Sequence, residues 1–482
     1  MFFISELILN YLIIIVNNTI VSAVMSGCVS VICQVRCAEL QNRNTWRVKS
    51  LRPETVDTRV RILVLGGGTA GISVASKFVR RFKNDVSDHE VLIIEPSDVH
   101  YYQPLFTLIG GGIKRIESSK KLMKEVIPKG AGWLKDSVTE IKPKISQVVT
   151  SRGVLVQYKH LIVAMGLQLN WDKIPGLKKG LEDPDAQVCS IYGPETVPKV
   201  FNKIKKTKDG NTIFTFPNSP VKCPGAPQKI MYLAEDYFQR NGLRQNINVI
   251  YNTALPVIFG VKKYADSLWS VCEGRNISVN LQSNLIGINP EKREATFEKL
   301  GGSNKMDTVK YSLLHVTPPM GPPDVLKNHP DLVDKAGFLS VDPESLRHSN
   351  YINIFGLGDC TNSPNSKTMA AVAAQADVVY NNIMYHMYEV GEFKRYNGYA
   401  SCPLVTGYGK CILAEFDYNL EPLETFPIDQ GKEYYFTYLL KVYFFPFLYW
   451  NFMLQGKWDG PTFFRQKVFR YLKKKKNSEK DR

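Results

Sequence analysis

At 482 residues the chain is too long for one small module and fits two or three domains, each able to bury its own core. Its 61 Lys and Arg against 45 Asp and Glu give a net charge of +16, which points to an anionic partner: nucleic acid, acidic lipid or a small anion. Nine cysteines without CxxC pairs or His-rich spacing argue against structural zinc, and no metal is expected.

The first stretch, Leu7 to Val35, carries no charge and has the look of a membrane span or a signal peptide. Neither fits well, because MFFISE lacks a basic start and Asn10, Asn17 and Asn18 spoil a span; an extension upstream of the true start is the competing reading. From Met25 the segment holds Arg36, Arg43, Arg47, Lys49 and Arg52 against one acid, Glu39, as mitochondrial transit peptides do. Residues 1–58 are therefore assigned to targeting. The six cysteines that follow would then lie in a compartment that keeps thiols reduced, where a disulfide is more often catalytic than structural.

From Val60 the register changes. VRILVL predicts a buried strand, GGGTAG a turn, ISVASKFVRRF an amphipathic helix, and HEVLIIEP a second strand. This is a βαβ unit in which Gly66, Gly68 and Gly71 have G-x-G-x-x-G spacing and Glu95 closes the second strand. Gly66 permits the tight turn, Gly68 lets backbone N–H groups approach a pyrophosphate, and Gly71 lets helix and strand pack closely. Glu95 can accept hydrogen bonds from a ribose diol.

Downstream, NTIFTFP from Asn211 and INVIYNTA from Ile247 predict strands separated by the helix APQKIMYLAEDYFQR. Where a second glycine fingerprint would stand, the sequence has VKCPGAPQK, which disfavours a nicotinamide donor. YINIFGLGDC then predicts a strand ending at Gly358 and Asp359, followed by the helix SKTMAAVAAQADVVYNNIM. A first fingerprint plus a late G-x-G-D resembles the two-dinucleotide-binding-domain flavoprotein oxidoreductases. That resemblance implies that Asp359 meets the flavin's ribityl chain and that KHLIVAMG, ending at Gly166, is where the chain leaves the flavin domain.

The likeness narrows at VKCPGAPQKIMYLAEDYF, FGVKKYAD, LLHVTPPM, SKTMAAVAAQ, SCPLVTGYG and LAEFDYNLEPLETFP. From about Val60 to Trp458 these blocks resemble the mitochondrial sulfide:quinone oxidoreductases. The resemblance implies an α/β fold of two Rossmann-like domains with a discontinuous flavin domain. The expected division is 59–166 and 336–400 for the flavin domain, 167–335 for the second, and 401–482 for a redox-cysteine and membrane-anchoring region. It implies redox cysteines at Cys223 and Cys402, which from the residues alone could equally be buried structural cysteines. It implies FAD contacts at Thr69, Ala70, Gln103, Val138 and Lys367 beside the glycines, Glu95 and Asp359; Lys367 has a solvated surface lysine as its alternative.

The implied chemistry is oxidation of hydrogen sulfide, with Cys402 holding a persulfide and Cys223 facing the flavin. Sulfur goes to glutathione or sulfite and electrons to ubiquinone. Cys189 stands near a third functional cysteine of bacterial relatives, whereas Cys272, Cys360, Cys411 and His315 read as packing residues.

The C-terminal stretch is aromatic and basic, and Lys441 and Pro446 leave only Val442 to Leu454 free of charge, too short to span a bilayer. It is expected to lie on the inner mitochondrial membrane, with Arg465, Lys467, Arg470 and Lys473 to Lys476 drawn to anionic lipid. The competing reading is a cap or dimer interface with a solvated tail. Tyr408, Phe416 and Phe445 are named as an aromatic set near a quinone path. Nucleic acid is disfavoured, since no binding motif accompanies the charge. Two further functions stay open: a membrane-associated NADH:quinone oxidoreductase and a non-catalytic flavin-binding membrane protein.

Overall fold

The computed structural model describes residues 58–83, 90–302, 305–462 and 465–466. The readings of the targeting segment, Cys28, Cys33, Cys37, Lys467, Arg470 and the lysine run fall outside them.

Strand β1 (Thr58–Leu65) is followed by helix α1 (Thr69–Phe82) and strand β2 (Val91–Ile94), the expected βαβ unit. Ile62 to Leu65 have no exposed surface, as the central strand of a parallel sheet covered on both faces requires. The sheet continues through β3 (Gly132–Leu134), which pairs β2, and an antiparallel arm, β4 (Val138–Lys142) and β5 (Gln147–Thr150). Strand β6 (Leu155–Val163) joins that arm to β1.

The chain then builds a second parallel sheet. Strands β7 (Val188–Cys189), β8 (Gly210–Phe216), β9 (Ile247–Thr253), β10 (Ser278–Asn280) and β11 (Leu313–His315) stand in the order β7-β11-β8-β9-β10. Helix α2 (Ala226–Arg240) follows β8, and a small core of its own includes Ile213, Leu285 and Phe297. Strand β12 (Ile354–Gly356) returns to the first sheet beside β6, which makes the flavin domain discontinuous. Helix α3 (Met369–Tyr388) packs on α1, with the Phe78 and Tyr380 rings 5.1 Å apart.

A hairpin of β13 (Ala400–Gly407) and β14 (Lys410–Phe416) then lays Cys402 near the start of α2. A helical run, Tyr435 to Met453, follows, with π-helical turns at Leu440–Phe444 and Tyr449–Met453 on either side of Phe445–Leu448. Pro446 lies between them and cannot donate to the ladder, which favours such widened turns. Among the described residues no helix is long and apolar enough to cross a membrane.

Candidate active site

The glycine loop has the form that a pyrophosphate cradle needs. Gly66 has φ +102°, and a Cβ there would lie 2.5 Å from the Ala164 carbonyl oxygen. A Cβ on Gly71 would lie 1.8 Å from the Gly66 oxygen, so helix and strand touch there. Around Gly68, by contrast, there is open space. Gly68 caps α1 without a side-chain hydrogen bond, and no acid occupies the first turn, so the helix offers N–H groups and a positive dipole end. Gly67 N–H donates to Glu95 Oε2 at 2.7 Å, which turns the Glu95 carboxylate toward the loop.

Asp359 follows Gly358, whose φ of +77° bends the chain after β12. A Cβ on Gly358 would sit 3.2 Å from the Ala70 side chain, so the two flavin-domain loops adjoin. Burial raises the Asp359 pKa, opposed by Lys367 and Lys222. Lys222, Cys223, Asp359 and Lys367 lie deep in the protein yet keep accessible surface, as residues lining an internal cleft do. Lys367 is no free surface lysine: its ammonium donates to Thr361 O at 2.8 Å and lies 4.7 Å from the Phe338 ring centre. Neither Gln103, exposed at the start of a 3₁₀ turn, nor Val138, the first residue of β4, is hydrogen-bonded to the glycine loop.

Cys223 and Cys402 are 179 residues apart in sequence, and their Sγ atoms lie 3.9 Å apart. Both are free thiols at this distance, since a disulfide bond is about 2.05 Å long. Cys223 sits in the left-handed region at φ +54°, held by its N–H to Lys367 O at 2.7 Å and by Ala226 N–H to its own carbonyl at 2.9 Å. Gly225 makes room for the pair, because a Cβ there would lie 2.7 Å from Cys402 Sγ.

The two thiols are not equivalent. The hydrogen bond from Cys402 pulls the Cys223 pKa well down; burial opposes it, and the Lys229 ammonium adds to the lowering. Lys229 Nζ donates to Cys223 Sγ at 3.2 Å. Cys402 moves well up, because its S–H donates a hydrogen bond to Cys223 and so holds its proton, and because it is buried. Burial works against the charge on Lys229, but the two cysteines outweigh it and hold the ammonium. Lys441 comes inward from the C-terminal run, 3% exposed, and donates to Pro104 O at 2.9 Å. Burial lowers its pKa to about 8.

The remaining cysteines stand apart from this chemistry. Cys189 is buried in β7, with a pKa raised by burial to about 12. The thiol of Cys360 turns toward Val163 O, and Cys272 packs against the Tyr232 hydroxyl. His315 is fully buried, its Nε2 accepting from Ile191 N–H. The expected aromatic set is corrected: Tyr408 lies at the turn of the β13–β14 hairpin and Phe416 at its open end, packed on Phe259, so the two do not line one path. Sequence reading missed Lys229, Lys222, Gly225 and the inward course of Lys441. A lysine just before the apolar run Ile230–Ala234 of the helix was the available signal for the first.

Two dinucleotide-type sheets joined around a close, asymmetric cysteine pair define the class: a disulfide oxidoreductase of the two-domain type. The family model for pyridine nucleotide-disulphide oxidoreductases matches residues 60–197. The mitochondrial sulfide:quinone oxidoreductase of Mus musculus is 49% identical over 412 residues, 86% of this chain and 90% of that one. That of Dictyostelium discoideum is 45% identical over 83% of this chain and 87% of its own. The solved sulfide:quinone oxidoreductase of Aquifex aeolicus shares the fold, with a TM-score of 0.71 at 18% identity, over 86% of this chain and 95% of that one. The chain belongs to the mitochondrial sulfide:quinone oxidoreductase family and is a flavoprotein oxidoreductase.

Proposed function

We propose that the chain oxidises hydrogen sulfide at Cys223 and Cys402 and delivers two electrons through FAD to ubiquinone, as a peripheral protein of the inner mitochondrial membrane. The observation that carries this reading is the asymmetric pair: two thiols 3.9 Å apart, one of them 3.2 Å from a buried ammonium.

The asymmetry supports a division of roles. In thiol–disulfide exchange the sulfur of lower pKa leaves faster, and HS⁻ is a competent nucleophile. HS⁻ therefore attacks the Cys402 sulfur of the bridged pair. The bridge breaks, Cys402 becomes a persulfide, and Cys223 leaves as a thiolate beside Lys229. Glutathione or sulfite removes the outer sulfur from Cys402, which keeps the bonding electron pair as a thiolate. The bridge re-forms when the two sulfurs together give up two electrons.

FAD, when bound, supplies the acceptor for those two electrons and passes them to the quinone. The residues proposed to hold it are Gly66, Gly68, Thr69, Ala70, Gly71 and Glu95 along the first loop, with Gln103, Val138, Gly358, Asp359 and Lys367 completing the site. The open space at Gly68 and the partly accessible Asp359 fit a dinucleotide of this kind. Exposed Tyr435, Tyr443 and Phe447 support contact with the membrane, from which a lipid-soluble quinone would enter.

Anaerobic stopped-flow absorbance of the FAD protein mixed with sulfide tests the reading, beside Cys223→Ser and Cys402→Ser. Rapid bleaching, lost in both variants and reversed by quinone, is expected. Bleaching by NADH and not by sulfide would overturn it.

A further inference from the structure

The C-terminal run presents one aromatic stripe to the outside. Tyr443 is 62% exposed, Phe447 49%, and Trp450 partly exposed, one from each of the three successive turns Leu440–Phe444, Phe445–Leu448 and Tyr449–Met453. The opposite side is buried through Lys441, Val442, Tyr449 and Met453. An exposed aromatic stripe is an unpartnered face, and the charges beside it identify what covers it.

Two lysines from a distant part of the chain flank the stripe. Lys114 Nζ lies 4.3 Å from the Tyr443 ring centre, and Lys121 Nζ lies 4.8 Å from that of Trp450. Tyr443 and Trp450 are seven residues apart, about 10 Å along a helix, so the ammoniums sit toward the two ends of the stripe. Lys121 belongs to the short strand Lys120–Leu122, whose Leu122 is itself 45% exposed. Among the described residues neither lysine has a carboxylate within ion-pair distance. Of the two acids close in sequence, Glu117 is exposed and makes no ion pair with either lysine, and Glu125 accepts from Leu122 N–H at 3.1 Å.

The arrangement is preformed. Tyr102 lies 4.3 Å from the Tyr449 ring, His100 Nε2 lies 2.6 Å from the Tyr449 hydroxyl, and Lys441 is bonded to Pro104 O. These contacts fasten the lysine-bearing stretch to the helical run.

We propose that Lys114 and Lys121 form an anionic-phospholipid headgroup site beside the Tyr443–Phe447–Trp450 stripe. The rings enter the headgroup boundary, and each ammonium, with one side on a ring, turns its other side to a lipid phosphate. Its lysines are separate in sequence from the basic run Lys473 to Lys476. It rests on the reading of the C-terminal run as membrane-facing.

Co-sedimentation of the full-length FAD protein with vesicles tests it, using phosphatidylcholine alone and phosphatidylcholine mixed with phosphatidylglycerol. The variant is Lys114→Gln with Lys121→Gln. A charge-matched control replaces the exposed Lys208 and Lys292 by Gln. The expected result is binding to the anionic vesicles about 10- to 30-fold weaker in the variant alone, with binding to phosphatidylcholine unchanged. Wild-type affinity for anionic vesicles in the variant would overturn the proposal and leave the tail as the lipid contact. Equal loss on both lipids, or equal loss in the control, would overturn it as well. Sulfide bleaching is read on the same samples: its absence beside lysine-dependent binding would sink the catalytic reading alone.

Discussion

The ammonium of Lys229 lies 3.2 Å from the sulfur of Cys223, inside the protein and one helical turn past the loop that carries the cysteine. An isolated buried lysine is costly to keep charged, so its persistence as a cation depends on the negative sulfur beside it. The dependence is mutual: the hydrogen bond from Cys402 and the charge of Lys229 together hold Cys223 as a thiolate, against burial.

Replacing Lys229 by Met keeps the volume and removes the charge. In the reduced enzyme the Cys223 pKa then rises. Alkylation of Cys223 by iodoacetamide, followed by peptide mass spectrometry at pH 6.5, is expected to slow at least about tenfold, the effect of one pKa unit. Lys229→Arg should retain most of the rate. An unchanged pH profile in the Met variant would remove Lys229 from the account.

Gly225→Ala tests the geometry of the pair without touching either sulfur. The new Cβ would meet Cys402 Sγ at 2.7 Å and Leu404 Cδ2 at 2.6 Å, so the hairpin must shift away from α2. Displacements near 1 Å at reacting atoms cost about 100-fold in rate. Sulfide-driven flavin bleaching should fall by roughly that factor, and diamide should close less of the bridge. Bleaching at the wild-type rate would mean that the 3.9 Å contact is not what the reaction uses.

The first domain was legible because its signals are local. Buried strand, glycine turn and amphipathic helix follow one another within a few dozen residues, and the close backbone approaches at Gly66 and Gly71 are written into their spacing. The cysteine pair was legible only through its flanking blocks, since nothing local says that residues 179 apart meet. Lys229 and Lys441 were not legible as site residues. Burial of a lysine is decided by what packs over it: Lys441 interrupts an apolar run in sequence, yet the run folds so that this one charge turns inward. Tyr408 and Phe416 failed as a set for a related reason, because the hairpin that joins them also separates them.

The hairpin that carries Cys402 is braced by a buried carboxylate. Glu415 faces Ser401 across it and accepts from the Tyr399 hydroxyl at 2.6 Å, the Thr425 hydroxyl at 2.8 Å, Thr425 N–H at 2.9 Å and Gln430 Nε2 at 2.8 Å. Glu415→Ala takes this acceptor from the Tyr399 and Thr425 hydroxyls, whereas Thr425 N–H keeps Gln430 Oε1 at 3.0 Å and Gln430 Nε2 keeps Leu413 O at 2.8 Å; the cost is roughly 1–3 kcal/mol for each donor that finds no water. The onset of heat-induced flavin release should drop by several degrees, while Glu415→Gln, which keeps one acceptor, should drop less. Equal onsets in wild type and the Ala variant would show that the brace contributes nothing.

The last prediction concerns pH and the joint between the glycine loop and the C-terminal helical run. His100 is 3% exposed, with Nδ1 lying 3.0 Å from Gly67 O and Nε2 lying 2.6 Å from the Tyr449 hydroxyl. Facing a carbonyl, Nδ1 of the neutral ring must hold the proton, so Nε2 accepts from Tyr449. Tyr449 in turn accepts from Thr69 in the dinucleotide loop at 2.8 Å. Burial lowers the His100 pKa from 6.5 to about 4. Because the folded value lies below the unfolded one, the contribution is whole above pH 6.5 and is lost as pH falls toward 4. The loss is about 3 kcal/mol at the low end of that window. His160, lowered to about 4, and His315, lowered to about 3, act in the same direction. Thermal unfolding between pH 7 and 4 should therefore show stability falling with acid, and His100→Gln, which does not titrate there, should flatten part of the fall. Flavin should also leave earlier in acid from the wild type than from the Gln variant, because protonation makes Nε2 a donor and reverses the hydrogen bonds that run through Tyr449 to Thr69 in the loop. A Gln variant with the wild-type pH slope would mean that the acid sensitivity lies elsewhere in the core.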